Sequence, residues 1–295
     1  AQVQGFTQAP GLATGRVIMS VTQSTIEETV HLALREDIGE GDITAELIPA
    51  DAVSLANVIS REACIFCGMD WFEEVFRQID DQVFIEWHLE DGDTVAADDT
   101  ICSLSGPSRA ILTGERTALN FIQTLSATAT IASRYAEAVA GTGAVVLDTR
   151  KTIPGLRAAQ KYAVSCGGCQ NHRMGLYDAI LIKENHILVA GDIHTAVEEA
   201  RFHSPGYPVE IEVENNEQLQ QAIDAGVDRV LLDNFGTEQI REAVKLCNGR
   251  IPLEASGGIT LDNIRDYAET GIDFISTGSL TKDIIAIDLS MRFSM

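Results

Sequence analysis

The chain has 295 residues, of which 45% are hydrophobic, so two domains, or one α/β barrel with an additional segment, are expected. It carries 21 Lys and Arg against 44 Asp and Glu, a formal net charge of −23. Since nucleic-acid phosphates repel such an acidic protein, we expect no nucleic-acid partner. No apolar run approaches the roughly 18 residues of a membrane span, and the first residues lack a secretion signal. We therefore expect a cytoplasmic protein with no membrane partner.

The first hundred residues predict an α+β module with a mainly antiparallel sheet. Ser24 and Glu27 have the spacing of a capping box, and the apolar residues after them predict a helix. The segments 53–59, 83–89 and 101–104 have the apolar patterns of strands, and Asp70 is the predicted cap of a helix between the first two. The acidic, glycine-rich run REDIGEGDIT at 35–44 predicts a loop.

The rest of the chain predicts a parallel sheet. A helical pattern runs from Ser108 past Tyr135, and six apolar runs separated by helical patterns follow it. A barrel is favoured over an open sheet because no GxGxxG motif follows the first run and polar residues follow nearly every run. Residues 284–289 are expected to return to the first domain. The six predicted strands lie at 145–148, 179–182, 209–213, 229–233, 252–255 and 274–277.

Polar side chains stand at or just after the end of each predicted strand. The carboxyl ends of parallel strands meet at one face, where barrel enzymes build their sites, so we expect these groups to lie together. The candidates are Thr149, Arg150, Lys151, Lys183, Glu212, Asp233, Ser256, Gly257, Gly258, Thr277 and Gly278.

A local excess of cations indicates an anionic ligand. Residues 150–186 contain six Lys and Arg against two Asp and Glu, a net charge of +4 within an acidic chain, and His172 and His186 add possible donors. Arg150, Lys151 and Lys183 adjoin strand ends, where burying a cation without a partner is costly. An anionic ligand is the simplest partner; the alternative is ion pairs with Asp148 or Asp178.

Two glycine turns and two carboxylates complete the predicted site. Ser256-Gly257-Gly258 precedes a helix predicted to begin near Leu261, and Thr277-Gly278 follows the next strand. Paired turns of this kind after the late strands of a barrel are typical of a phosphate site.

Glu212 and Asp233 suit Mg²⁺, a sugar diol or an electron-poor sugar carbon. Alternatively, they pair with Lys151 or Lys183. Spacing alone does not choose between Glu212 and Glu214.

The cysteines give a weaker signal. Cys64 with Cys67 and Cys166 with Cys169 form two CxxC pairs far apart in the chain. In a cytoplasmic protein, buried apolar thiols are the favoured interpretation over a metal or redox site.

Several motifs together resemble the quinolinate phosphoribosyltransferase family, also called carboxylating nicotinate-nucleotide pyrophosphorylases, which are type II phosphoribosyltransferases. The resemblance covers nearly the whole chain. It rests on LDTRKTIPGLRAAQKYAVSCGGCQNHRMGLYDAILIKENHI, GERTALNFIQTLSATAT and REDIGEGDIT, and on EVEN, LLDNF, EASGGI and ISTGSL.

The resemblance implies a reaction in NAD biosynthesis. Quinolinate and 5-phosphoribosyl 1-diphosphate would give nicotinate mononucleotide, pyrophosphate and CO₂, with Mg²⁺ accompanying the diphosphate and without an organic cofactor. It also implies an incomplete, seven-stranded α/β barrel with an N-terminal α/β sandwich domain, in a homodimer. The expected segments are 1–115 for the sandwich, 116–275 for the barrel and 276–295 for the return to the sandwich.

The resemblance further implies roles for individual residues. Arg116 would reach the partner's substrate across the dimer interface, and Glu212 rather than Glu214 would face the ribose and its magnesium together with Asp233. The turn residues Ser256, Gly257, Gly258, Thr277 and Gly278 would hold the 5-phosphate. Thr149 and the basic residues Arg150, Lys151, His172, Arg173 and Lys183 would line the quinolinate pocket.

Three other interpretations remain open. A phosphate-binding barrel aldolase would use Lys183 as a Schiff-base amine. A sensor would bind a phosphorylated metabolite without turnover. A paralogous phosphoribosyltransferase would act on nicotinate or another base.

Overall fold

The computed structural model describes residues 18–294; the start of the chain, from which the absence of a secretion signal is predicted, lies outside this range. Within the described range, no helix is long and apolar enough to cross a membrane. The chain forms two compact units. We call residues 18–133, 153–168 and 283 onward the sandwich unit, and residues 134–152 and 169–282 the barrel unit. Neither unit is continuous in sequence, so they do not coincide with the expected segments 1–115, 116–275 and 276–295.

The sandwich unit combines short strands with four helices, the last part of α3 belonging to the barrel unit. Its elements are α1 Gln23–Ile38, a 3-10 turn Ala45–Leu47, β1 Val53–Ser60, β2 Cys64–Ile65, α2 Met69–Ile79, β3 Phe84–Trp87, β4 Thr94–Val95, β5 Thr100–Pro107, α3 Ser108–Ala138, α4 Arg157–Cys166 and β12 Leu289–Ser294.

Two predicted helix caps are each wrong by two residues. α1 begins one residue before Ser24, and Thr22 is its N-cap, with its hydroxyl accepting the N–H of Thr25. α2 has Gly68 as its N-cap, so Asp70 lies in the first turn. In both cases a residue just upstream already has the extended or glycine conformation that starts a helix.

The main sheet of the sandwich unit is antiparallel, as predicted, with the order β12-β1-β5-β3. β12 pairs with β1 from Leu55–Ser294 to Ser60–Leu289, so the end of the described chain lies in the same sheet as β1. The core of the unit lies between sheet and helices and contains Trp71, Phe72 and Phe76 of α2, all buried. All six cysteines of the chain are buried, and no disulfide bond joins any of them.

The barrel unit alternates strands and helices. Its strands are β6 Val145–Leu147, β7 Ile180–Ile182, β8 Val209–Val213, β9 Arg229–Asp233, β10 Leu253–Ser256 and β11 Phe274–Ser276. Its helices are α5 Glu184–Ala190, α6 Ile193–His203, α7 Asn216–Asp224, α8 Thr237–Cys247, α9 Ile264–Ala268 and α10 Ser279–Lys282.

The six strands are parallel, in the order β6-β11-β10-β9-β8-β7, and all six match the predicted runs. A seventh position comes from Gln170, which forms a parallel bridge to Leu147 through bonds with Val146 O and Asp148 N. A single bridging residue has no apolar run, which is why the sequence shows six strands. The incomplete α/β barrel is thus confirmed, and its strand ends carry the candidate residues on one face.

Candidate active site

The ends of β7 and β8 are joined by an ion pair. Lys183 follows β7 directly, and its Nζ lies 2.5 Å from Oε2 of Glu212 on β8. Glu214 lies beyond the end of β8 and is exposed, and its N–H bonds to Gln218 Oε1. The structure therefore joins Glu212 to the cationic residues, and the partner of Lys183 is neither Asp148 nor Asp178.

Asp233 ends β9, next to β8 in the sheet. Burial and then the negative charge of Glu212 raise the pKa of Asp233, while Lys183 and Lys151 oppose the rise. Mg²⁺ binds oxygen ligands, and its usual ligands in proteins are one or two carboxylates together with substrate phosphates. Two carboxylates this close together supply such ligands. Glu212 and Asp233 therefore fit a magnesium ion.

Lys151 connects the first and last strand ends of the set. Its carbonyl accepts the hydroxyl of Thr281, and its N–H donates to Thr149 Oγ1. A Cβ added to Gly278 would lie 2.8 Å from Lys151 Cδ, so the lysine stem passes directly over the turn after β11. Because Gly278 has no side chain, the stem of Lys151 has room to pass over this turn.

The two glycine turns lie side by side. Thr277 donates from its hydroxyl to Ile259 O, 3.0 Å away, which ties the turn after β11 to the turn after β10. Gly257 has φ +106°, and a Cβ there would lie 2.1 Å from Asn234 Oδ1. α9 begins at Ile264 and not near Leu261, because an Asn263–Thr260 turn precedes it. The predicted helix start behind this turn is therefore wrong, whereas α10 starts directly after Gly278.

Two arginines lie close together on the other side of the cluster. Burial, and then the nearby charge of Arg150, lower the pKa of Arg173. Nη1 of Arg173 donates to Ala179 O, and both arginines are half-buried. Two like charges held this close favour binding of a ligand with more than one negative charge.

The loop that carries His172 and Arg173 is held by carboxylates. Asp148 accepts Asn171 Nδ2 and the N–H of His172. Asp178 accepts the N–H groups of Met174 and Gly175. These two aspartates therefore fix the backbone around the basic residues.

His172 connects this loop to charged residues inside the barrel. Its Nε2 lies 2.9 Å from Glu210 Oε2 and 3.5 Å from Glu254 Oε2, and its Nδ1 accepts the N–H of Arg173 at 2.8 Å. Burial lowers the pKa of His172, but Glu254 and Glu210 raise it by more. The Arg173 N–H acts against a second ring proton because it uses the Nδ1 lone pair. When Nδ1 accepts the N–H of Arg173, the neutral ring must carry its one proton on Nε2. The charged ring has a proton on Nε2 as well.

The sequence did not single out Glu210, Arg229 or Glu254. They lie within apolar runs, where a charge is unexpected, and each is two or four residues before a predicted site residue on the same strand. Since alternate residues share a face of a strand, these charges point to the same side as Glu212, Asp233 and Ser256. A charge inside a barrel strand is the signal that would have found them.

Arg116 is not part of this cluster. It lies in α3 within the sandwich unit, and its side chain is exposed. Thus the structure brings together the candidates that follow the strands of the barrel unit, and leaves Arg116 in the other unit.

Comparisons with known proteins agree over most of the chain. The family model described as quinolinate phosphoribosyl transferase, N-terminal domain, matches residues 42–126, and the model of the C-terminal domain matches residues 128–292.

Individual relatives and solved structures match at similar length. A Mycobacterium leprae protein named nicotinate-nucleotide pyrophosphorylase (carboxylating) is 38% identical, over 90% of this chain and 95% of its own. A Bacillus subtilis protein named "Probable nicotinate-nucleotide pyrophosphorylase (carboxylating)" is 42% identical, over 88% of this chain and 90% of its own. The structure of the nicotinate-nucleotide pyrophosphorylase from Francisella tularensis matches with a TM-score of 0.91 and 48% identity, over 93% of this chain and 98% of that one.

Both family models fit in the right order, and the relatives are matched over most of their length. The chain therefore belongs to the quinolinate phosphoribosyl transferase family.

Proposed function

We propose that this protein transfers the phosphoribosyl group of 5-phosphoribosyl 1-diphosphate to quinolinate and releases CO₂, giving nicotinate mononucleotide and pyrophosphate. The names of the relatives describe this activity, and we assign the reaction to NAD biosynthesis. The observation that carries the proposal is the arrangement of Arg150 and Arg173, with Lys151 and Lys183, beside the carboxylates of Glu212 and Asp233 at one face of the barrel unit.

The basic residues suit quinolinate. This substrate has two carboxylates on neighbouring ring carbons, and planar guanidinium groups bind carboxylates through two parallel hydrogen bonds. We assign the carboxylates to Arg150 and Arg173, with Thr149 and His172 at the edge of the pocket. A mono-acid such as nicotinate would leave one cation of the pair without a partner, which disfavours a paralogue that acts on that base.

The carboxylates suit the sugar. Breaking the anomeric C–O bond puts positive charge on the ribose, and Glu212 and Asp233 would stabilise that charge. Mg²⁺, when bound by these two residues and the diphosphate, would neutralise the leaving pyrophosphate. The turns Ser256–Gly258 and Thr277–Gly278 would hold the 5-phosphate through their backbone N–H groups.

Decarboxylation follows from the chemistry of the product. Attack by the pyridine nitrogen on the ribose makes that nitrogen cationic, so it stabilises the electron pair that stays on the adjacent ring carbon when the carboxylate departs as CO₂. That carbon then takes a proton from water to give nicotinate mononucleotide. No organic cofactor is needed for this step. We therefore expect ribosylation to precede CO₂ loss; free nicotinic acid appearing before any nucleotide would contradict this order.

The structure disfavours an aldolase. A Schiff-base lysine is activated in a desolvated pocket, whereas the side chain of Lys183 is 48% exposed and pairs with Glu212. Borohydride trapping in the presence of a carbonyl substrate checks this, because a covalent adduct on Lys183 would favour the aldolase. A sensor would bind the substrates and release no product.

The direct test measures CO₂ from quinolinate labelled in its 2-carboxyl, with phosphoribosyl diphosphate and Mg²⁺ present. We expect release that depends on all three components and stops with EDTA. Arg150→Ala should lower it by about two orders of magnitude, the scale of losing one transition-state contact. Arg250→Ala is the control, because Arg250 is exposed and donates to carbonyls at the end of α8. Absence of labelled CO₂ with the wild-type protein would reject the proposal.

A homodimer with a shared site is the second part of the proposal. Val53, Leu55 and Phe84 are large apolar side chains that are 75%, 57% and 66% exposed, and Leu55 and Phe84 both align with Ser105 of β5. An apolar row of this kind on one sheet face is typical of an interface. Arg116, exposed on α3, would then reach the partner's substrate. We expect the dimer to work in the cytoplasm.

Mixing two inactive variants tests the shared site. Arg116→Ala and Arg150→Ala should each be inactive alone. Subunit exchange between them should restore roughly a quarter of wild-type activity, since half of the random dimers are mixed and each mixed dimer has one intact site. No recovery, with exchange verified by native mass spectrometry, would place Arg116 in its own chain's site or outside both.

A further inference from the structure

The interior of the barrel unit contains a layer of charge where branched apolar side chains are usual. Glu210 of β8, Arg229 of β9 and Glu254 of β10 are at most 2% exposed. They come from three neighbouring strands, and Glu210 aligns with Arg229 in the β8–β9 register. Burying ionisable side chains costs free energy that only well-formed contacts between them offset. None of the three is a predicted substrate contact.

The contacts of this layer converge on His172. Arg229 Nη1 donates to Glu254 Oε2 at 3.1 Å, and its guanidinium lies 4.2 Å from the centre of the Phe274 ring. The same Glu254 oxygen lies 3.5 Å from His172 Nε2, and Glu210 Oε2 lies 2.9 Å from that nitrogen. The arginine therefore fixes Glu254, and the two glutamates together face one edge of the imidazole.

The opposite edge of the ring leads to the substrate-binding loop. Nδ1 of His172 accepts the N–H of Arg173, and the N–H of His172 donates to Asp148. The ring is only 8% exposed. A turned ring would present Nδ1 or a carbon to two buried carboxylates, so its orientation is determined by what its Nε2 faces.

We propose that Glu210 and Glu254 are positioning residues that keep the proton of His172 on Nε2 and hold the ring in one orientation, so that Nδ1 fixes the backbone of Arg173 and aims its guanidinium at a substrate carboxylate. The role of Arg173 rests on the proposed function. The glutamates act through another residue, as the buried aspartate of a serine-protease triad fixes its histidine tautomer.

A metal ion is the main competitor for this cluster. His172 with Glu210 and Glu254 has the donor atoms of a small metal site, all within 4.8 Å of one another. However, the separation of 2.9 Å between His172 Nε2 and Glu210 Oε2 is in the hydrogen-bonding range, and Arg229 already donates to Glu254 Oε2, the other carboxylate oxygen that faces this nitrogen. A divalent ion at this point would be placed next to a guanidinium.

The protonation of the His172 ring can be measured in the wild-type protein, with a variant needed only to assign its signals. Nitrogen-15 NMR of histidine-labelled protein, assigned by the loss of one signal in His172→Gln, reports which ring nitrogen carries a proton. We expect a protonated Nε2 and an unprotonated Nδ1, because only an unprotonated Nδ1 accepts the N–H of Arg173. A protonated Nδ1, an unprotonated Nε2, or one equivalent of a transition metal in the purified protein that Glu210→Gln no longer retains, would overturn the proposal. This readout is independent of whether quinolinate is the substrate.

Kinetics of Glu210→Gln test the link to Arg173. We expect kcat/KM for quinolinate to fall about 10- to 100-fold, the cost of misplacing a binding group by a fraction of an ångström to one ångström. The KM for phosphoribosyl diphosphate should change less than about twofold. Glu210→Asp, which keeps a carboxylate, should recover part of the loss. Equal losses for both substrates would show a merely structural role and reject the proposal.

Two controls separate the possible failures. Glu198→Gln removes the carboxylate of an exposed glutamate that pairs with His194. It breaks the same kind of Glu–His pair, but at the surface, and should leave both KM values unchanged. Wild-type turnover is measured first: without CO₂ release, the proposed function fails while the NMR result still decides the positioning of His172. If Glu210→Gln does not fold, Glu210→Asp and the wild-type spectrum still decide the question.

Discussion

Lys183 Nζ and Glu212 Oε2 lie 2.5 Å apart, at the ends of two neighbouring parallel strands. This pair links the basic and acidic halves of the site. The like charge of Glu212 acts on Asp233, and Lys183 partly offsets that effect. The lysine therefore holds together two carboxylates that would otherwise repel each other.

Lys183→Ala should inactivate the protein without unfolding it. The side chain is half exposed, so its loss costs little stability, but Glu212 and Asp233 would then lack their fixed cation. We expect kcat to fall by about 100-fold or more, measured by labelled CO₂ release. Lys245→Ala, on the exposed surface of α8, should be neutral. Activity of Lys183→Ala close to that of the control would remove Lys183 from the site.

Gly278→Ala should affect activity more than stability. The added Cβ would lie 2.8 Å from Lys151 Cδ. The lysine side chain is flexible and can move away, while the Thr281 hydroxyl keeps its backbone in place. We expect a loss of stability below about 1 kcal/mol, with about tenfold lower kcat.

A double-mutant cycle isolates that contact. In a Lys151→Ala background, the alanine at 278 should have no further effect on turnover, because the side chain that it displaces is gone. Additive effects would indicate that Gly278 acts on the phosphate and not on Lys151.

Gly257→Ala should lower stability and phosphoribosyl diphosphate binding together. The position has φ +106°, and its new Cβ would lie 2.1 Å from Asn234 Oδ1 and 3.1 Å from the Asn234 Cα. We expect a loss of about 1–3 kcal/mol in the free energy of unfolding, together with a higher KM for the diphosphate.

Gly226→Ala is the matched control for this change. Gly226 also has a positive φ, +68°, but open space around it. It therefore reports the backbone strain alone, about 1–2 kcal/mol. Equal denaturation midpoints for the two variants would contradict the predicted clash.

The Asp91 carboxylate should make stability fall as the pH rises above the ordinary aspartate value of 3.8. Burial raises the pKa of Asp91, against hydrogen bonds from the Tyr162 hydroxyl and two backbone N–H groups. Between 3.8 and the raised value, the folded state binds more protons than the unfolded state, so the free energy of unfolding decreases with pH across this window.

Asp91→Asn tests that sign, because the amide keeps an acceptor for the N–H groups and has no charge. Urea denaturation from pH 4 to pH 7 should show that wild type loses stability relative to the variant as pH rises. The exposed control Asp288→Asn should track wild type. A wild-type stability that rises relative to Asp91→Asn would reverse the assignment.

The sequence alone determined the elements with a strong local signal. Apolar runs of strand length identified all six strands of the barrel unit, and the residues at their ends gave the site, since parallel strands must place their carboxyl ends together. The acidic and basic patterns around Lys151, Lys183 and Glu212 were visible for the same reason. Local hydrophobic period and residue chemistry are properties of short segments, so they can be read without a fold.

Only the tertiary structure decided which distant segments meet. Helix α4 lies with the sandwich unit although its sequence stands between two barrel strands, and Gln170 becomes a seventh strand position through two hydrogen bonds. The charged layer of Glu210, Arg229 and Glu254 likewise needs three strands in register before its two glutamates face His172. Such contacts depend on chain closure over long sequence separations, and no local pattern encodes the partner.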